Sequence, residues 1–356
     1  IVSTPVTSNA GAERYLGRLE NSAHPVPPRA LVVDSQGHTL FDSGDATLPL
    51  ALAGVTKLFT VAMVLREVDR GALTLDTPLG DILPADTVRG LCVVGGVDHS
   101  FSITIEHLLS HRSGIVDYMR PGRDKLRSLT QQFLEHDRSW SLDQALEIAK
   151  HYPGMNTPGA GSRARHSSTN YLLLGAVLHD TTGMPFDELI RLRVVGSLGL
   201  AHTYVYGPDH YEKYFTLSPV HLGSHVVRIP QALASSGADG AIVSTAHDAL
   251  TFLQAFWRGE LFQDSWIPRL SATTAASSAS PRMGLGVMVA PPRLGKPMVL
   301  GHSGVSGAAI ALDTTTGMSA FLTNFQWSPL ASGFDNVVGL VRAISQQLPE
   351  PNHSRN

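Results

Sequence analysis

The stretch Ala53-Gly-Val-Thr-Lys57-Leu-Phe-Thr60 lies within the most apolar segment of the chain, which runs from Pro49 to Leu65. Apolar side chains recur here at the spacing of a helix, and Gly71 ends the pattern. We therefore predict a helix over residues 54–70, with Lys57 in its first turn. The apolar segment contains that lysine and is too short to cross about 30 Å of hydrocarbon, so we expect no membrane span.

Strand patterns flank this helix on the N-terminal side and return near the C-terminus. Ala30-Leu-Val-Val-Asp34 and His38-Thr-Leu-Phe41 surround Ser-Gln-Gly, which predicts a hairpin. Four further strands are predicted at 284–289, 298–301, 308–312 and 318–323, before a helix over 334–348. The predicted helices elsewhere are 10–19, 105–111, 141–150, 168–182, 185–198 and 245–258. The sequence thus predicts an α/β (α+β) protein whose single sheet is assembled from both chain ends.

We expect two lobes with an active-site cleft between them. Residues 1–71 and 281–356 would form the sheet lobe, and residues 72–280 a mostly helical inserted lobe. A length of 356 residues agrees with two units of ordinary domain size.

Composition excludes several classes of protein. The chain has 27 Lys and Arg against 30 Asp and Glu, a formal net charge of −3, and 43% hydrophobic residues. Because no basic run or aromatic RNA-binding motif is present, nucleic acid is not an expected partner. The lone Cys92 lies in an apolar run and is predicted to be a buried thiol rather than half of a disulfide. We expect a soluble protein, cytoplasmic or exported after removal of a leader, and its oligomeric state stays open.

Several fragments, in this order along the chain, carry a family resemblance. They are Ala53–Thr60, Leu73-Thr-Leu-Asp76-Thr-Pro-Leu, Ile105-Glu-His-Leu-Leu-Ser-His111-Arg-Ser-Gly114, Asn170-Tyr-Leu-Leu-Leu-Gly175, Gly240-Ala-Ile-Val-Ser-Thr-Ala-His-Asp248, Gly284-Leu-Gly286, Gly301-His-Ser-Gly304 and Leu322-Thr-Asn324. Together they resemble the serine β-lactamase and penicillin-binding-protein superfamily, in the branch of class C β-lactamases, D-alanyl-D-alanine carboxypeptidases and esterases. The resemblance implies a β-lactamase/transpeptidase-like fold with an antiparallel sheet and flanking helices.

The resemblance also points to a site from which the nucleophile is missing. Members of the family begin the catalytic helix with Ser-x-x-Lys, and the lysine and helix N-terminus activate the serine hydroxyl. The corresponding residues here are Gly54-Val55-Thr56-Lys57, so the lysine is kept and the hydroxyl is not. Natural loss of the nucleophile, a deliberate serine-to-glycine change and a misaligned motif are the three alternatives. Burial of Lys57 would favour the neutral amine and hence a base.

Two further family elements complete the predicted site. Where the family has Tyr-x-Asn, this chain has His166-Ser167-Ser168, and an imidazole transfers protons readily near neutral pH. The element Lys-Thr-Gly or His-x-Gly is kept as His302-Ser303-Gly304. From the resemblance, the predicted catalytic residues are Lys57, His166 and His302. The predicted substrate-binding residues are Gly54, Ser168, Ser303 and Gly304.

A pair of histidines and an aromatic stretch are the other residues that a site could use. His107 and His111 lie four apart on a predicted helix, but the Glu of His-Glu-x-x-His and a third ligand are missing, so we expect no metal site. Neither do the motifs imply a cofactor. The aromatic stretch Tyr204–Phe215 and Trp327 either line the pocket or pack in the core.

Three functional hypotheses remain open from the sequence. The first is an enzyme that uses Lys57, His166 and His302 for acid/base elimination, isomerisation or cyclisation of a small organic molecule. A second is a serine hydrolase or acyltransferase, such as a peptidase, amidase or esterase, carrying an engineered glycine at position 54. The third is a non-catalytic protein that binds a small ligand in the old pocket.

Overall fold

The computed structural model describes residues 8–121, 128–161, 163–272, 282–328 and 330–345. The strands are β1 (Arg29–Val33), β2 (Thr39–Asp42), β3 (Leu50–Ala51), β4 (Val93–Val94), β5 (Val97–Asp98), β6 (Tyr204–Val205), β7 (Val220–Leu222), β8 (His225–Val227), β9 (Ile242–Ser244), β10 (Arg282–Met283), β11 (Met288–Ala290), β12 (Val299–Ser303), β13 (Ala308–Asp313) and β14 (Ser319–Thr323). The helices are α1 (Ala10–Leu19), α2 (Thr56–Asp69), α3 (Ala85–Val88), α4 (Ile105–Leu109), α5 (Leu129–Glu135), α6 (Leu142–Lys150), α7 (Ser168–Thr182), α8 (Phe186–Ile190), α9 (Gly196–Leu198), α10 (Pro230–Ser235), α11 (Gly237–Gly240), α12 (Ala246–Trp257), α13 (Ile267–Leu270) and α14 (Leu330–Ser345).

The main sheet joins the two ends of the chain, which confirms the predicted fold class. Its seven antiparallel strands follow the order β10-β11-β12-β13-β14-β1-β2. Strand β1 lies between β14 and β2, and Val32 pairs with Ala320 on one side and with Phe41 on the other. The helices from α2 to α13 lie between β2 and β10 in the sequence. The bounds of the two predicted lobes remain a prediction.

Alternating side chains give the sheet two buried faces. Ala30 and Val32 face a cluster with α1 and α14, whereas Leu31 and Val33 face the larger core that contains α2 and α12. Helix α2 is buried almost all round and packs against α7 and α11, so it runs through the centre of the molecule. Cys92 is fully buried, in agreement with the sequence.

A small second sheet fixes the start of α2. Its strand order is β3-β9-β6, and the Leu52 N–H donates to the Ile242 carbonyl at 2.8 Å immediately after β3. A 3₁₀ turn over Ala53–Val55 then leads into α2. The predicted helix over 54–70 is thus present, although its first turn is tighter than an α-helical one.

One strand prediction is wrong. Residues 284–287 form a turn between β10 and β11 instead of a strand, and Gly286 has a φ of +79°. A Cβ at Gly286 would lie 2.8 Å from the Tyr171 hydroxyl and would also collide with Val61. The chain turns here because only glycine allows this backbone conformation beside α2 and α7. Within the described ranges, no helix is long and apolar enough to span a membrane.

Candidate functional site

A cavity of about 510 Å³ opens at the start of α2. Three parts of the chain form most of its wall: the turn into α2, the residues around the start of α7, and the segment from Tyr214 to Ile229. Of the site residues predicted from the sequence, four line this cavity: Gly54, Lys57, His166 and Ser168. The fold therefore brings these four together. The other predicted site residues, His302, Ser303 and Gly304, are not among the lining residues that the structure describes.

Gly54 lies in the 3₁₀ turn and is buried against the end of β12. The approach is close because a Cβ at Gly304 would lie 2.8 Å from the Gly54 nitrogen and 2.9 Å from the Ala53 Cβ. Gly304 thus serves the site as a spacer that lets the two backbones meet. Ala53 has a φ of +46°, a left-handed conformation that costs free energy in a residue with a side chain.

Lys57 is paired with an acid that the sequence analysis missed. Its Nζ lies 2.6 Å from Asp239 Oδ1 and donates to the Asp239 carbonyl at 3.2 Å, and both side chains are buried. Thr60 and Thr56 bind the same segment, through the Ala238 carbonyl at 2.7 Å and the Ile242 N–H at 3.0 Å. Asp239 thus gives the Lys57 amine a buried acidic partner, which the prediction of a base from burial alone did not include.

Tyr118 lies on the other side of Asp239. Its hydroxyl donates to Asp239 Oδ2 at 3.5 Å, and the side chain is wholly buried. Burial, together with the negative charge of Asp239, raises the pKa of Tyr118 well above its usual value. The phenol therefore stays protonated and acts as a donor to the ion pair.

His166 is oriented by a second unforeseen acid, Asp117. The two are joined by a contact of 3.6 Å between His166 Nδ1 and Asp117 Oδ2, and His166 keeps 30% of its side chain exposed. The Nε2 atom has no hydrogen-bond partner among the described residues. This nitrogen is also buried, so the exposed part of the side chain lies elsewhere on the residue.

His111 packs behind His166, with ring centroids 4.6 Å apart. Its Nδ1 accepts from the Ser167 N–H at 3.2 Å and lies 3.1 Å from Asn170 Nδ2, so the neutral ring carries its proton on Nε2. Burial, with the nearby charges of His166, Lys57 and His302, lowers the pKa of His111 well below its usual value. His111 is therefore a neutral, rigid support for His166.

The predicted pair His107 and His111 does not share a helix face. Helix α4 ends at Leu109, and His111 has a φ of +56°. His107 instead closes a capping box with Thr104 at the start of the helix. Across the described ranges, no group of three or more potential ligands could hold a metal ion.

His302 and Ser303 lie on opposite faces of the sheet. His302 is fully buried, and desolvation followed by the charge of Lys57 lowers the pKa of His302 to about 3. Ser303 points toward α14, with its Oγ 3.7 Å from Met288 Sδ and its Cβ close to Gly333. The substrate-binding role predicted for Ser303 thus has no support from its position.

The aromatic stretch divides between core and cavity. Tyr206 packs with Tyr204 and Tyr214 in a small buried cluster, whereas Tyr214 and Phe215 line the cavity. Trp327 lines the cavity as well, on the opposite wall beside Phe133. The sequence analysis did not predict Asp239 and Asp117 as site residues. The only signal for either in the sequence is an acid beside apolar residues: Asp239 lies shortly before Ile242, and Asp117 follows Ile115-Val116.

Comparisons with known proteins agree with this architecture. The family model described as Beta-lactamase matches residues 43–336. "Penicillin-binding protein 4" of Amycolatopsis lactamdurans is 26% identical over 204 residues, which are 56% of this chain and 48% of that protein. The D-alanyl-D-alanine-carboxypeptidase/endopeptidase AmpH of Escherichia coli K12 is 24% identical over 310 residues, 79% of this chain and 74% of AmpH.

The solved structure of a D-stereospecific amidohydrolase from Streptomyces sp. is similar over nearly the whole chain. It has a TM-score of 0.73 and 25% identity, and the match covers 93% of this chain and 97% of that one. The chain spans about half the length of the first curated relatives that it matches.

Proposed function

The chain belongs to the Beta-lactamase family, and from that premise we propose that its cleft carries out acid/base chemistry on a small organic molecule without an acyl-enzyme. The observation that carries the proposal is the state of the lysine. Lys57 lies one turn after a glycine instead of a serine, and its ammonium is held 2.6 Å from Asp239 Oδ1. A glycine has no hydroxyl to acylate, and a lysine paired in this way is not a base for one.

His166 is the group proposed to move the proton. It lines the cavity, Asp117 faces its Nδ1, and its Nε2 has no partner within the described chain. An imidazole can both accept a proton and return one, so histidine is a common general acid and base. In the proposed step, the His166 imidazole takes a proton from the carbon beside a carbonyl group of the substrate and returns one to the product.

Lys57 and His302 receive different roles in this proposal from those predicted. The Lys57 ammonium stabilises the negative charge that develops on the substrate oxygen. His302, with a pKa of about 3, stays neutral at pH 7 and supports the site from behind. Ser168, the first residue of α7, lines the cavity and offers a hydroxyl for binding.

Deuterium exchange tests the proposal without knowledge of the natural substrate. The protein is incubated in D₂O with a panel of ketones, esters and thioesters that carry aryl or branched alkyl groups, and uptake of deuterium beside the carbonyl is followed by NMR. We expect at least one compound to exchange faster with the wild-type protein than with His166→Gln. Lack of exchange above background across the panel would contradict the proposal.

A hydrolase or acyltransferase mechanism through a serine at position 54 is the second candidate. The observation that favours it is the similarity to a carboxypeptidase and to an amidohydrolase. Intact-mass spectrometry after incubation with benzylpenicillin or a fluorophosphonate decides between the two. A covalent adduct on Gly54→Ser, with hydrolysis of a chromogenic ester, would support the second candidate, whereas an unmodified Gly54→Ser protein supports the first.

A further inference from the structure

The cavity has an excess of positive charge that its own residues do not neutralise. Its charged lining residues are Lys57, Asp117, Arg120, Arg228 and Asp239. Each of the two acids already contacts a base, since Asp239 pairs with Lys57 and Asp117 with the imidazole of His166. Neither guanidinium forms a hydrogen bond or an ion pair with any part of the chain that the structure describes.

The fold holds Arg228 in place at the cavity wall. The Tyr214 hydroxyl donates to the Val227 carbonyl at 3.1 Å and accepts from the Ile229 N–H at 2.9 Å. The backbone is thus hydrogen-bonded to Tyr214 on both sides of Arg228. Asp137, an acid close to this segment, accepts from the N–H groups of Gln231 and Ala232 at 2.8 and 3.0 Å. Its carboxylate is thus engaged at the start of α10 rather than with the guanidinium.

The rest of the wall is mainly apolar. Phe133 and Trp327 meet edge to face, with ring centroids 6.1 Å apart, and Phe215 lines the cavity although 74% of its surface is exposed. Mainly apolar cavities of this size commonly hold organic ligands. A ligand that suits the whole lining therefore combines an apolar body with one negative group.

We propose that the cavity binds organic carboxylates with an aryl or branched alkyl body, and that Arg120 and Arg228 bind the carboxylate. Both arginines are exposed at the mouth, so the apolar body extends inward along Phe133 and Trp327 toward His166. Charge-assisted hydrogen bonds to a guanidinium discriminate an anion from a neutral group of equal size. This inference rests on the proposed function and narrows its substrate class.

Matched ligand pairs test the inference by isothermal titration calorimetry. The probes are phenylacetate, 3-phenylpropionate and 4-phenylbutyrate, each compared with its primary amide. We expect the best carboxylate to bind about tenfold more tightly than its amide, which corresponds to one charge-assisted contact. Arg228→Gln and Arg120→Gln should each remove most of that preference and leave amide binding unchanged. Arg191→Gln, an exposed arginine outside the cavity, is the control and should keep the preference.

The outcomes separate this inference from the proposed function. Equal binding of acid and amide by the wild-type protein would overturn the arginine assignment while leaving an organic-ligand cavity intact. A preference that survives the double change Arg120→Gln/Arg228→Gln would overturn it as well. Failure of every acid and amide to bind would overturn the ligand class, and the deuterium-exchange panel then decides the fate of the proposed function independently.

Discussion

Lys57 Nζ and Asp239 Oδ1 lie 2.6 Å apart in the interior, although 182 residues separate them in the chain. The contact ties the first turn of α2 to α11. Beside it, the Thr60 hydroxyl donates to the Ala238 carbonyl and the Thr56 hydroxyl accepts from the Ile242 N–H of β9. A buried ion pair of this kind is costly to break because the remaining partner is left charged and desolvated. The pair therefore has consequences for stability as well as for chemistry.

We expect Asp239→Asn to lower the free energy of unfolding by about 3 kcal/mol, because Lys57 would remain buried without its counterion. Urea denaturation of the variant measures the loss. Adding Lys57→Met should recover much of the stability, since no buried charge then remains. The control is Glu260→Gln, whose exposed pair with Arg258 should contribute less than about 1 kcal/mol. A loss as small as that of the control would show that the buried pair is not stabilising.

The buried histidine His302 should make stability depend on pH. Its pKa is about 3 in the folded protein and near the ordinary 6.5 when unfolded, so protons bind preferentially to the unfolded chain. The contribution is fully present above pH 6.5 and is lost as the pH falls toward 3. Between pH 7.5 and 5.5, the wild type should lose about 1.4 kcal/mol more than His302→Gln.

Urea denaturation at several pH values in this range measures that difference. The matched control is His225→Gln, which removes an exposed histidine of β8 and should show the pH dependence of the wild type. Parallel curves for the wild type and His302→Gln would show that His302 is not a buried neutral histidine.

The close approach of β12 to the start of α2 predicts a large effect of a single methyl group. Gly304→Ala would place a Cβ 2.8 Å from the Gly54 nitrogen, so the turn into α2 would have to move. We expect a loss of about 1–3 kcal/mol in unfolding free energy, as for other overpacked sites. Thermal or urea denaturation measures it against Gly207→Ala, where a Cβ would meet no atom within 4 Å. Similar stability for the two variants would contradict the described packing.

Much of the architecture was predictable because it depends on local patterns. The apolar periodicity after Lys57 located α2, and the short apolar run at 30–33 before a Ser-Gln-Gly turn located β1. The strand predicted over 284–289 was wrong at 284–287 because the backbone at Gly286 packs against Val61 and Tyr171, which are remote in sequence. Contacts between residues far apart in the sequence cannot be predicted from the local pattern of apolar residues.

The site was predictable only in part for the same reason. The motif positions of Gly54, Lys57, His166 and Ser168 did converge on one cavity. Their partners Asp117 and Asp239 belong to none of the family motifs, so the contact of Lys57 with Asp239 was not predicted. His302 and Ser303 lie on β12, and the pleat of the strand turns Ser303 to the face opposite His302.

The most direct test of proton transfer by His166 is the rate of deuterium uptake by the best exchanging compound of the panel, measured against pH for the wild type, His166→Gln and Asp117→Asn. We expect His166→Gln to lose at least about 100-fold in rate. Asp117→Asn should lose less, because the imidazole remains and only the carboxylate that faces its Nδ1 is removed. Folded His166→Gln protein that exchanges the compound at the wild-type rate would contradict the account.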